Sequence, residues 1–182
     1  MPSMEGLRIR PAISDDIDDL IAFDHSYSTD YVWQMEFRRG PDEVAATFRE
    51  VRLPRPMRVS YPREPQRLAD EWTRRAAVLV AELAESRKGY AVLQEGTAPG
   101  SYWMTDLVVG PRDRRRGVAT KLVAAAWEFC RQTGPRRLFM EMQSKNHPAI
   151  KLAQKMGFAF AGYSDRYFPN EDIALFFSLD LE

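Results

Sequence analysis

Residues 107–119 read Leu-Val-Val-Gly-Pro-Arg-Asp-Arg-Arg-Arg-Gly-Val-Ala. An apolar, β-branched run stops at Gly110-Pro111, an arginine-loaded turn follows, and apolar residues then recur at Val118, Leu122, Ala125, Ala126 and Phe129. That spacing gives a helix one buried face, so the segment predicts a strand that feeds through a tight turn into an amphipathic helix. It restricts the chain to folds in which helices pack on a sheet. It also creates an anion site, because the first amides of a helix lack intrahelical partners and lie at the positive end of its dipole. Here those amides belong to Val118, Ala119 and Thr120. Gly117 and Ala119 keep the wall low enough for a diphosphate to approach the main chain, and Arg114, Arg115 and Arg116 add positive charge.

A second block, Asn146-His-Pro-Ala-Ile-Lys-Leu-Ala-Gln-Lys-Met-Gly-Phe158, begins roughly 30 residues after the first. Arg114-x-x-Gly117-x-Ala119 followed by Asn146-x-x-Ala149-x-x-Leu152 and Gly157-Phe158 resembles the GNAT superfamily of N-acetyltransferases. Phe139-Met-Glu-Met-Gln143 and the ending Ile173-Ala-Leu-Phe176 are similar to its streptothricin acetyltransferase branch. The resemblance implies acetyl-CoA as cosubstrate, its pyrophosphate over residues 114–120 and its pantetheine arm between two splayed strands, 101–109 and 137–142. Backbone groups of Leu107 and Val109, on either side of Val108, would hold the arm. A β-bulge in the first strand would supply the splay and leave an amide free to polarise the thioester carbonyl. Asn146 would cap its helix and touch the arm. At the position where the family carries a tyrosine that protonates the departing thiolate, this chain has Ala153. Tyr163 and Tyr167, just past the second block, or a water molecule, are the candidate replacements.

Transfer to an amine requires a neutral nucleophile, and an alkylammonium with a pKa near 10.4 is almost wholly protonated at pH 7, a cost of roughly 4 to 5 kcal/mol. Glu141, in the strand beside the expected cofactor, and Asp106, just before the cofactor-binding run, are the candidate general bases. Strand alternation puts 106 and 108 on one face and 107 and 109 on the other, and leaves open which face meets the substrate. The acceptor part is expected within about 1–75, where Asp24-His-Ser-Tyr27 to Trp33 mixes carboxylates with aromatics in a way that suits a cationic small-molecule amine. A protein N-terminus or lysine as acceptor, and a non-catalytic acyl-CoA-binding module, are the alternatives.

The rest of the composition mainly excludes. At 182 residues the chain is one domain, 1–182, with the cofactor part over about 101–163. A formal net charge of +0 and a pI near 6.8 argue against a nucleic-acid binder. One cysteine, Cys130, and two histidines, His25 and His147, suit neither a disulfide nor a metal site. Neither a leader pattern nor an 18-residue apolar run is present, which fits a cytoplasmic protein without a membrane partner, and a homodimer is compatible with this reading. Gly-x-Gly-x-x-Gly and Gly-Lys-Ser/Thr helix starts are absent, which removes dinucleotide oxidoreductases and P-loop enzymes.

Strands are expected at 7–10, 31–39, 43–52, 76–83, 89–95, 101–109, 137–142, 158–163 and 173–181, with helices at 15–24, 117–132 and from 146. The stretch 66–85 also reads as helix, and Pro54, Pro56, Pro62 and Pro65 mark irregular chain. This order implies an α/β fold with a mixed, mostly antiparallel central sheet flanked by helices and, by the resemblance, splayed at its middle strands.

Overall fold

The computed structural model describes residues 4–181; Met1–Ser3 and Glu182, the ends of the expected domain, lie outside the described residues. Seven strands, β1 (Arg8–Pro11), β4 (Ala77–Leu83), β5 (Ser86–Glu95), β6 (Ser101–Val109), β7 (Arg137–Gln143), β8 (Ala159–Ser164) and β9 (Ala174–Asp180), form one sheet. Their order is β1-β4-β5-β6-β7-β9-β8. Only β6 and β7 run parallel, because the helix α3 (Val118–Thr133) returns the chain between them. The remaining strands β2 (Tyr27–Arg39) and β3 (Val44–Val59) pair with each other as a separate hairpin. Helices α1 (Ser14–Ile21), α2 (Arg67–Glu71) and α4 (His147–Lys155) complete the set.

Period-two alternation sorts the sheet's side chains onto two faces. Leu79, Ala81, Ala91, Leu93, Leu138, Met140 and Met142 meet Leu122, Val123 and Ala126 of α3 and Ile150 and Ala153 of α4. Val78, Val80, Tyr90 and Val92 face the other way, onto Ile17 and Leu20 of α1 and Leu68 of α2. Cys130 is fully buried in the first cluster, where burial pushes its thiol up to about 12, so it is packing rather than a nucleophile.

Three local expectations are corrected. Ser14 is the first helical residue and not the N-cap of α1; Ile13 takes that place, and the Asp16 carboxylate accepts from its amide at 2.9 Å. The helical reading of 66–85 holds only for Arg67–Glu71 and a 3-10 turn at Trp72–Arg74, after which the apolar alternation of 77–83 prevails as β4. The hairpin is longer than 31–52, and Pro54 and Pro56 lie within β3. They are tolerated because the ladder is broken there: Thr29 pairs with Met57 and Tyr31 with Arg52, so residues 53–56 bulge out of register.

Asp16, with no exposed surface, ties the edge of the sheet to α1. Arg10 of β1 reaches it at 2.6 Å and Arg87 of β5 at 2.8 Å, while Glu82 of β4 holds the same Arg10 guanidinium. These bonds, Arg10's first, hold the Asp16 carboxyl well below the usual carboxylate range. A depressed folded pKa means stability that is present above the free-carboxylate value near ~3.9 and is lost as the pH falls below it. Asp16→Asn is expected to cost about 3 kcal/mol at pH 7 by leaving the guanidiniums short of their counter-charge. Urea denaturation at stepped pH should show the wild-type advantage narrowing below about pH 4; an advantage that stays constant into acid contradicts this role.

Candidate active site

Strands β6 and β7 are paired only over Ser101–Met104 and Arg137–Met140. On its other side β6 pairs Met104 with Leu93 of β5 and then Asp106 with Val92, so one extra residue is inserted at Thr105. This is the expected bulge. It reverses the facing of the strand: Met104 lies in the α3 cluster, and Val108, four residues on, lies in the α1 cluster. Past the bulge β6 and β7 part, and the edges of Leu107–Val109 and Glu141–Gln143 flank an open fork. Gly89 opposite the fork has no room for a side chain, since a Cβ would come within 2.5 Å of the Val108 carbonyl. That carbonyl therefore points at β5, and strand alternation turns the carbonyls of Leu107 and Val109 toward the open edge.

A cleft of about 400 Å³ runs from the fork to the start of α3. Its walls include Leu107, Val108, Val109, Arg114, Arg115, Gly117, Val118, Ala119, Thr120 and Asn146, which gathers every residue expected to bind the cofactor except Arg116. The first i to i−4 bond of α3 is Lys121 N to Gly117 O, so the amides of Val118, Ala119 and Thr120 precede the helical ladder. Gly117 has φ +86°, and no atom lies within 4 Å of where its Cβ would stand. Arg115, at φ +58°, is also left-handed. Alternating left-handed residues fold the main chain into an amide-lined concavity suited to phosphate oxygens. A diphosphate therefore fits this turn.

The three arginines divide their work in a way the sequence does not reveal. Arg114 is spent on the protein: its Nε donates to Val109 O at 3.0 Å and Nη2 to Asp24 O at 2.9 Å, bracing the turn against the chain before β2. It thereby occupies the Val109 carbonyl and leaves Leu107 as the open main-chain partner. Arg116 bonds Asp113 at 3.3 Å. Arg115 is exposed at the cleft. Asn146 caps α4, accepting from Ala149 N at 3.2 Å, and lines the same cleft.

A second cavity of about 390 Å³ lies on the α1 face of the fork. Asp106 and Glu141 both face it, so the bulge settles the orientation of Asp106 in favour of this cavity. Thr105 Oγ1 donates to Asp106 Oδ2 at 2.9 Å, and the Tyr61 hydroxyl donates to Oδ1. Glu141, with 2% of its side chain exposed, is paired with Arg63, and Tyr167 Oη donates to its Oε2 at 2.8 Å. Arg63 also donates to Thr105 O at 3.0 Å and lies 5.0 Å over the Phe168 ring, so it fills the first unpaired rung of the fork. Four carboxylates (Glu64, Glu71, Asp106, Glu141) and three guanidiniums (Arg63, Arg67, Arg75) line the cavity. Glu71 is taken by Arg67 and Arg75. Among the described residues, Asp106 and Glu64 have no cation at ion-pair distance.

The expected acceptor segment divides. His25, Tyr27 and Ser28 line the cofactor cleft, and Asp24 is engaged by Ser26 and Arg58. The carboxylate-bearing cavity takes one wall from residues 61–75, within the expected 1–75 but after the Asp24–Trp33 segment, and the rest from β5, β6, β7 and residues 167–169. Burial lowers the His25 pKa; Nδ1 donates to Phe23 O at 2.7 Å, so Nε2 accepts from Tyr90 Oη at 2.9 Å. His147 stacks on Tyr31 at 4.8 Å and sits 3.0 Å from Glu50. Tyr163 is not brought to the fork: it lies on β8, three strands from β6, pairs with Leu175, and packs its ring on Phe48 at 5.1 Å. Tyr167 does reach Glu141. Ala153 is fully buried under the sheet.

Residues 45–158 match the model of the acetyltransferase (GNAT) family. Streptothricin acetyltransferase of Streptomyces lavendulae is 35% identical over 92 residues, 44% of this chain and 49% of that protein, so the chain spans about half the length of this curated relative. The crystal structure of nourseothricin acetyltransferase superposes with a TM-score of 0.80 at 25% identity over 97% of this chain and 99% of that one. A Bacillus anthracis str. Ames structure in complex with acetyl coenzyme A gives a TM-score of 0.73 at 20% identity, covering 96% and 99%. With the family model spanning both the fork and the amide-lined turn, the chain belongs to the acetyltransferase (GNAT) family.

Proposed function

We propose that the protein transfers the acetyl group of acetyl-CoA to the primary amine of a small cationic acceptor. The observation that carries this reading is the placement of two cavities on one fork: a basic, amide-lined cleft on the side of α3 and a carboxylate-bearing cavity on the other. Acetyl-CoA supplies the activated acyl group when bound, with its diphosphate on the 115–120 amides and its arm along the open edge of Leu107. The unpaired Asp106 and Glu64 attract an ammonium, and the aromatic walls Tyr61, Tyr90 and Phe168 suit its alkyl body. The complexed Bacillus anthracis neighbour and the streptothricin acetyltransferase relative support the same chemistry.

Asp106 is the base in this proposal. Its partners are hydroxyls, which can turn from donating to accepting when the carboxylate takes a proton. Glu141 would first have to release the Arg63 guanidinium, which has no lone pair to offer a protonated acid. Its part is to hold Arg63 and Tyr167 around the acceptor.

A free-thiol assay with acetyl-CoA and a panel of diamines, aminocyclitols, β-lysyl amides and amino acids should show turnover for small cationic amines and none for unfolded protein or peptide N-termini. Thiol release only with peptides would move the acceptor to protein. Asp106→Asn is expected to lower kcat by about 100-fold or more, with acetyl-CoA affinity unchanged; a full-rate variant places the base elsewhere. Gly117→Val fills the open wall and should raise the acetyl-CoA dissociation constant at least about tenfold by calorimetry. Thermal unfolding must stay near wild type for that test, since φ +86° also strains a β-branched residue.

A further inference from the structure

Tyr61 is the one described residue that lines both the cofactor cleft and the acceptor cavity. It also borders a third, smaller space of about 40 Å³ between them, next to Glu141, Leu107 and Asn146. Its ring is fixed beside His25 at 5.1 Å, and its hydroxyl donates to Asp106. From this junction, and resting on the function proposed above, we propose that Tyr61 is the general acid that protonates the departing CoA sulfur and that Asp106 restores its proton.

The chemistry closes on itself. The acceptor ammonium first gives one proton to solvent; the lone pair of the resulting neutral amine forms the new C–N bond at the acetyl carbon, the C–S bond breaks, and its electron pair goes to sulfur. The Tyr61 O–H turns from Asp106 Oδ1 to that sulfur and gives it its proton. The surplus proton on nitrogen goes to the Asp106 carboxylate, which then donates it back to the Tyr61 oxygen across the same Oδ1–Oη contact. Phenol and carboxylate are thereby regenerated, and the products are the amide and the CoA thiol.

Three features of the site suit this relay. Tyr61 is half-buried between the cavities, and desolvation, followed by the charge of Asp106, raises its pKa well above the usual phenol value, so it stays protonated across the working range. Transfer from so weak an acid is driven by the second transfer, since a protonated carboxyl beside a phenolate is strongly downhill in that direction. Thr105 Oγ1 holds Asp106 Oδ2, which leaves Oδ1 for Tyr61. Neighbouring groups are neutral or committed: His25 is uncharged and bonded to Tyr90, Tyr90 is itself held protonated by burial, and Arg63 is tied to Glu141 and Thr105 O. At Ala153 the helix offers no hydroxyl, and Tyr163 lies on β8, beyond β7 and β9. Tyr27 is bonded to Gln143 and Tyr167 to Glu141, whereas Tyr61 is the phenol that lines both cavities at the fork.

The test uses the full-length protein and Tyr61→Phe, which keeps the ring. With the best amine of the panel, kcat should fall about 100-fold while the dissociation constant for acetyl-CoA and the thermal midpoint stay near wild type. Separately, ultraviolet absorbance of thiolate in the complex with CoA alone should show the bound thiol ionising at higher pH in the variant, since the O–H that turns from Asp106 to the thiolate is gone. Tyr61→Phe at full rate, or an unchanged thiol titration, overturns the role of Tyr61 while leaving acetyl transfer standing. No thiol release by the wild type with any acceptor removes the proposed function and this role together.

Discussion

The extra residue at Thr105 in β6 is the constraint on which the rest of the site depends. A strand that continued without it would keep its pairing to β7, leave no open edge at Leu107, and turn Asp106 toward the opposite face. With it, the parallel pair ends at Met104 and Met140, the two strands diverge, and Val108 and Asp106 turn to the α1 face. The seven-stranded sheet absorbs this local loss because β5 continues to pair with β6 on the other side and β9 with β7 along its whole length. Broken pairing is thus confined to the gap where a ligand's own polar groups can take up the unpaired main chain.

The two cavities that meet at this gap have opposite electrostatic character. One ends in helix amides and arginine, the other carries four carboxylates against three guanidiniums, and between them lie groups that burial keeps neutral: Tyr61, Tyr90 and His25. Such a partition suits the proposed transfer from a polyanionic donor to a cationic acceptor. Each reactant would be drawn to its own side, and at the point of contact hydrogen bonds in a low-dielectric pocket would set proton positions. The ion pair of Arg63 and Glu141 belongs to the same logic, for it neutralises the charge nearest the fork and leaves Asp106 as the carboxylate bound only to hydroxyls.

Much of this architecture is legible in the order of the residues. Gly110-Pro111 and the period of 118–129 place the strand, turn and helix within a residue or two, and the alternation of 77–83 and 89–95 gives the neighbouring strands. Local rules fail where tertiary contacts override them: Ser14 yields the cap to Ile13 because Asp16 is drawn to Ile13 N and to two arginines, and Pro54 and Pro56 sit in β3 because the ladder is already broken opposite them. The arginines of the turn look equivalent in sequence, yet Arg114 is a brace and Arg115 faces the cleft. Tyr61 and Arg63 carry no signal beyond their residue types in a Pro-rich stretch.

The sequence by itself determined most of the elements and the amide-lined turn, since strand period, helix period, Gly117 and the helix start are properties of contiguous residues. Only the tertiary structure decided which side chains meet. Asp106 and Tyr61 are 45 positions apart, and Glu141 and Arg63 are 78 apart. Contacts of that separation depend on strand order and on one bulge, and no local preference of either residue encodes them.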